Sequence, residues 1–184
     1  QRQMCIRDRY NYSLAFGGSV KIVVMPKGNA VQAVLYDKTK GMVFDMGSKG
    51  KLNSGMESFL ELYGIKELKG AFIESEQYYT ITKYNEQMTI RPDRFYINGE
   101  PDNDSELPFM TGAQLDWNGV KIEALEGGYK ITTEGCVVTI EKGSVTINGR
   151  NLDTTDEEYP LMIDMKNSQI RRTEYGFAYG FGSW

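Results

Sequence analysis

The chain has no histidine at all, so the commonest general base and the commonest transition-metal ligand are both missing. It has two cysteines, Cys5 and Cys136, too few for a zinc site of their own or for a disulfide framework. It has no apolar run of about 18 residues, so these residues hold no candidate membrane-spanning helix. It has no surplus of positive charge. The net charge is −4, which argues against broad electrostatic binding to nucleic acid or to anionic lipid. A local basic patch stays open, since 21 Lys and Arg are present.

What is there is the composition of a folded chain. Of 184 residues, 40 % are hydrophobic and 25 % charged, enough for one domain with its own core. The first residues read differently from the rest. Met4 to Arg9 (MCIRDR) resembles the in-frame translation of a transposon-end sequencing adaptor. Residues 1–9 are therefore expected to be a read artefact, and residues 10–184 one domain, a piece of a longer protein.

The stretch from Gly41 to Thr80 organises the reading. Met42, Val43 and Phe44 form a short apolar run that ends at Asp45. Ser54 and Glu57 make a capping box, which predicts a helix start. Met56, Phe59, Leu60 and Tyr63 then fall on one helical face, and Gly64 stands where a helix-terminating glycine belongs. Ala71, Phe72 and Ile73 resume an extended run. Strand 42–45, helix 54–64 and strand 71–74 make a βαβ unit whose strands should be parallel.

Upstream, Val20 to Met25 and Val31 to Tyr36 read as strands around a Pro26–Asn29 turn, and Asp37–Gly41 turns the chain into Met42. These three strands should form a meander. Downstream, residues 81–93 suit either a helix or a strand, Arg94 to Asn98 reads as a strand, and Gly99 to Gly112 reads as a surface loop. The second half predicts hairpins. Asn118-Gly119 suits a type I′ turn between Ala113–Trp117 and Val120–Leu125. Tyr129–Thr133, Cys136–Ile140 and Ser144–Ile147 follow, with turns at Gly127-Gly128, Glu134-Gly135 and Lys142-Gly143. Leu161–Met165 is a last strand, after an acidic loop at 153–158. The glycine- and aromatic-rich tail from Thr173 fits an edge strand or a mobile end. The expected class is α/β leaning to a β-rich α+β fold.

In this order the elements resemble a metallo-β-lactamase-fold domain, and within that group the C-terminal domain of ComEC-type competence proteins. Residues 20–47 (VKIVVMPKGNAVQAVLYDKTKGMVFDMG) are similar to that domain's opening, with Met25–Val31 at its "VGQGDA" turn and Phe44-Asp45-Met46-Gly47 at its "IDTG" motif. Gly64-Ile65 matches its "LGI", and the similarity spans roughly residues 20–148. The resemblance implies a partial metallo-β-lactamase-like sandwich with a mixed sheet. It also implies a parent in the bacterial cytoplasmic membrane, concerned with DNA uptake, with this domain on the extracytoplasmic side.

The family's enzymes hold metal through an HxHxDH motif just after the second strand of the unit. Aligning Ala71–Glu74 with that strand puts Ser75, Gln77, Tyr79 and Thr80 at the four positions, and none is a good zinc ligand. Asp45 matches the motif acid, which in the family mostly supports the site. No zinc or other cofactor is expected, and no catalytic residue. Two sharper readings compete with plainer ones. Asp45, Glu74 and Glu76 are acids of the kind that hold Mg²⁺ or Mn²⁺ for phosphodiester hydrolysis. The plainer reading, which is preferred, has Asp45 bonding loop amides and the glutamates in solvent. Tyr78, Tyr79 and Tyr84 could stack bases or sugars, but more simply fill the space of a lost site. Ser75 lacks a histidine base, and Arg171-Arg172 reads as a solvated edge. A β-rich interaction domain of unrelated fold is the remaining alternative. No partner or compartment follows from the residues themselves.

Overall fold

A computed structural model describes residues 20–27, 30–46, 60–74, 90–102, 105–133, 136–151, 161–164 and 169–172. Side chains are described in all of these except 25–27, 161–164 and 169–172. The chain opens with β1 (Lys21–Lys27), β2 (Ala30–Asp37) and β3 (Lys40–Met46), then β4 (Glu67–Glu74), β5 (Phe95–Ile97) and β6 (Glu100–Pro101). A second series follows: β7 (Gln114–Trp117), β8 (Val120–Leu125), β9 (Gly128–Thr133), β10 (Cys136–Glu141), β11 (Ser144–Ile147) and β12 (Arg150–Asn151). The chain then continues into β13 (Leu161–Asp164) and β14 (Gln169–Arg172).

The strands form two sheets. The larger is mixed, in the order β14-β13-β1-β2-β3-β4-β5-β6, and the smaller is antiparallel, in the order β12-β11-β10-β9-β8-β7. The opening meander forms as expected, with β1, β2 and β3 antiparallel neighbours. β3 and β4 are parallel, as the βαβ reading requires, and β5 continues parallel to β4. Parallel neighbours need a crossover, and that between β3 and β4 includes a helical turn at 60–62. The capping box and the helix start lie outside the described residues.

The end of that helix shows why Gly64 is there. The Ile65 N–H donates to the Leu60 carbonyl at 2.8 Å and the Gly64 N–H to the Glu61 carbonyl at 3.0 Å, the paired bonds of a Schellman cap. Gly64 takes φ 69°, a conformation that an L side chain resists. Leu60 and Ile65 then bury together in one apolar cluster.

Burial explains the contrast between the two sheets. The central strands of the larger sheet, β2, β3 and β4, are covered on both faces. Val23, Val34, Val43, Ala71 and Ile73 face Leu60, Tyr63 and Ile65, while their strand neighbours face the smaller sheet. Its central strands accordingly read as continuous apolar runs. The smaller sheet alternates. Ile122, Ile131, Val138 and Val145 point inward, whereas the cross-strand row Gln114, Glu123, Lys130, Thr139, Thr146, Asn151 is polar and at least partly exposed. Between the sheets, Phe72 lies at the centre of an aromatic cluster. Its ring sits 5.0 Å from Phe44, 5.4 Å from Tyr96, 5.3 Å from Phe109 and 5.3 Å from Tyr129.

Several boundaries differ from expectation. Pro26 and Lys27 belong to β1, not to a turn, and pair with Val31 and Ala30. Proline is tolerated there because the pairing with β13 stops at Val24. The 99–112 stretch is not wholly a surface loop. Asn98 (φ 49°) and Gly99 (φ 80°) form a type I′ turn into β6, and Phe109 is buried among the core rings. Gly128 is a strand residue of β9 rather than part of a turn. Asn118-Gly119 makes the expected hairpin, at φ 50° and 77°, and Asn148-Gly149 repeats it at 49° and 80°. Glu134-Gly135, most of 81–93, the acidic loop and the tail lie outside the described residues.

Candidate functional site

Parallel strands end together, and loops beyond their carboxyl ends commonly carry the chemistry of such units. Here β3, β4 and β5 finish side by side, with Met46 opposite Glu74 and Ile73 opposite Ile97. Asp45 and Glu74 therefore come to the same end of the sheet. They do not come to the same face.

Side chains alternate along a strand, so the neighbours decide the direction. Phe44 and Met46 face the smaller sheet and Val43 faces the helical turn, which puts Asp45 on the helical side. Phe72 faces the smaller sheet and Ile73 the helical side, which puts Glu74 on the side of the smaller sheet. The sheet itself separates the two carboxylates. A cation bound to one is not reached by the other. Among the described residues no group of three or more histidine, cysteine or acidic side chains could hold a metal ion.

Each acid has its own surroundings. Asp45 is 2 % exposed and stands directly opposite Gln32 of β2. Glu74 is half-buried and accepts a hydrogen bond from the Tyr129 hydroxyl at 3.3 Å. Loss of solvent raises the Glu74 carboxyl above its ordinary range, and the tyrosine bond partly offsets this. Tyr129 is buried against Phe44 and Phe72, and burial pushes its phenol up, reinforced by the charge on Glu74. The pair can hold a proton, but it presents a single carboxyl with no second acid or base beside it among the described residues.

The other sequence-read positions divide simply. Ser75, Glu76, Gln77, Tyr78, Tyr79, Thr80 and Tyr84 lie outside the described residues, as does Cys5. Cys136 is fully buried in the core between the sheets. Arg171 and Arg172 fall on β14, the outermost strand of the larger sheet. Among the described residues no helix is long and apolar enough to cross a membrane.

Gln32 is the residue that sequence reasoning passed over. It sits in the run VQAVLY, read only as a strand. The signal was present: a long amide in the middle of a run whose neighbours all bury. Gln32 is 0 % exposed, and among the described residues neither of its amide atoms has a hydrogen-bond partner.

No protein-family model matches the chain, and no curated protein matches it significantly.

Proposed function

We propose that the chain is a non-catalytic module built on a metallo-β-lactamase-like scaffold, a structural or binding part of a ComEC-like protein of DNA uptake. The observation that carries this reading is the combination at one strand end. A meander, a parallel β3–β4 pair and a motif-like acid at Asp45 stand together in a chain without histidine. A hydrolytic zinc centre needs about three protein ligands and an open position for water, and nitrogen ligands are what this chain lacks. The order of elements, an antiparallel meander followed by a parallel crossover, supports the scaffold part of this reading.

The competing reading is a hydrolase that uses carboxylates and Mg²⁺ or Mn²⁺. The placement of Asp45 and Glu74 on opposite faces weighs against it. A phosphodiesterase assay with added Mn²⁺ on the purified protein tests both. The proposal expects no metal-dependent turnover. Turnover abolished by Asp45→Ala or Glu74→Ala would overturn it. Recovery of the upstream coding sequence tests the parentage, which membrane-spanning segments there would support and an unrelated upstream context would remove.

A further inference from the structure

We infer that the outer edge of β7 is a docking strand for a basic, extended segment of a partner protein, which adds to the smaller sheet and covers Leu107 and Met110. Hydrogen bonds alternate along an antiparallel pair, so the Ala124 N–H donating to the Ala113 carbonyl at 2.9 Å sets the phase. Ala113, Leu115 and Trp117 direct their backbone groups to β8, and Gln114 and Asp116 direct theirs away from it. Among the described residues β8 is the one strand that pairs with β7. Outward N–H and C=O groups on an edge strand are a template for another strand. Two apolar side chains stand where the chain enters β7. Leu107 is 86 % exposed and Met110 42 %. The Ala113 N–H donates to the Met110 carbonyl at 2.8 Å, which turns Met110 back against the start of β7. Between them Phe109 is buried, and its N–H donates to the Gly99 carbonyl at 2.7 Å, fastening the segment to the β5–β6 turn.

Charge selects the partner. From Glu100 to Gly119 the sequence holds five acids and no lysine or arginine. Glu100, Asp102 and Asp116 are exposed, and Glu106 is half-buried. Lys121, opposite Asp116, is the one basic residue in register with β7. A second copy of the chain pairing through β7 would bring these acids against their own images, and nucleic acid would bring phosphates to them. A segment that alternates lysine or arginine with apolar residues suits every feature of the edge. Its backbone pairs with Gln114 and Asp116, its apolar side chains cover Leu107 and Met110, and its cations lie beside the acids. Such docking stands whether or not the parent is a protein of DNA uptake.

The test is NMR with amide exchange on the intact chain, titrated with a synthetic peptide alternating lysine and valine and with its glutamate–valine counterpart. In the free chain the Gln114 and Asp116 amides should exchange quickly. The lysine peptide should slow both and shift the Leu107 and Met110 methyl signals, with an affinity that falls as salt is added. The glutamate peptide should do neither. Leu107→Ser, at an exposed position, should weaken binding about tenfold or more, because the peptide covers that side chain. Gln114→Pro removes one outward N–H and leaves the bonds to β8, and should weaken binding about two- to tenfold. Binding of neither peptide, equal binding of both, or a Leu107→Ser variant that binds like the parent would overturn the proposal. So would Gln114 and Asp116 amides already protected in the free chain, whether by another of its segments or by a second copy. If Gln114→Pro does not fold, Leu107→Ser and the pair of peptides decide.

Discussion

Glu74 and Tyr129 show how far single side chains can be argued. The Glu74 carboxyl is raised by burial, so between its ordinary value and its raised value the folded chain holds a proton that the unfolded chain has released. Stability therefore falls as pH rises across that window. Glu74→Gln should remove this fall, leaving the variant more stable than the parent at neutral pH in urea titrations. Tyr129→Phe should cost about 0.5–1.5 kcal/mol for the lost hydrogen bond and raise the Glu74 carboxyl further. The Tyr129 phenol is itself pushed up, so the unfolded chain ionises first as pH passes the ordinary phenol value of about 10. The parent should lose stability there and the phenylalanine variant should not lose this part. Asp45 was legible in the sequence as an acid ending an apolar run. The face it takes was not, because alternation assigns faces only once neighbours and register are known. Gln32 was missed for the same reason: a run buried on both faces hides which of its members is out of place.

At the scale of elements, local chemistry was the legible part. Gly64 as a helix stop and Asn118-Gly119 as a hairpin turn both follow from backbone conformations that few residues adopt, and both are found. Gly64→Ala should destabilise by about 1–2 kcal/mol, since alanine at φ 69° is strained whatever the space around it. Gly128 is a different case. A Cβ there would run into the Ile140 carbonyl and the Glu141 side chain, on the β10 strand that Gly128 pairs with. Gly128→Ala should therefore destabilise more than Gly119→Ala, whose added Cβ meets nothing and strains only the backbone. Parallel urea titrations of the two variants check the order. The errors had physical causes too. Pro26 looked like a turn because proline usually ends pairing, but the far strand stops before it. Asn98-Gly99 and Asn148-Gly149 carried the same turn chemistry as Asn118-Gly119 and were read past, the first because prolines and acids nearby suggested a loop.

For the whole molecule, β-rich character and the parallel β3–β4 pair could be read from the residues and a mixed sheet was expected from the family resemblance, but the long-range pairing that completes the larger sheet could not be read. β13 pairs with β1 across most of the sequence, a contact that no local pattern announces. The sheets are held by rings that come from distant segments, with Phe72 touching four others. Phe72→Ala should cost about 3–5 kcal/mol and lower the thermal midpoint more than any surface change, as differential scanning fluorimetry would show. The proposed role as a module without a metal centre is tested most directly by elemental analysis of the purified full chain after expression in zinc-supplemented medium. The account predicts zinc well below one equivalent per chain. One full equivalent, retained through dialysis and removed by chelator, would contradict it.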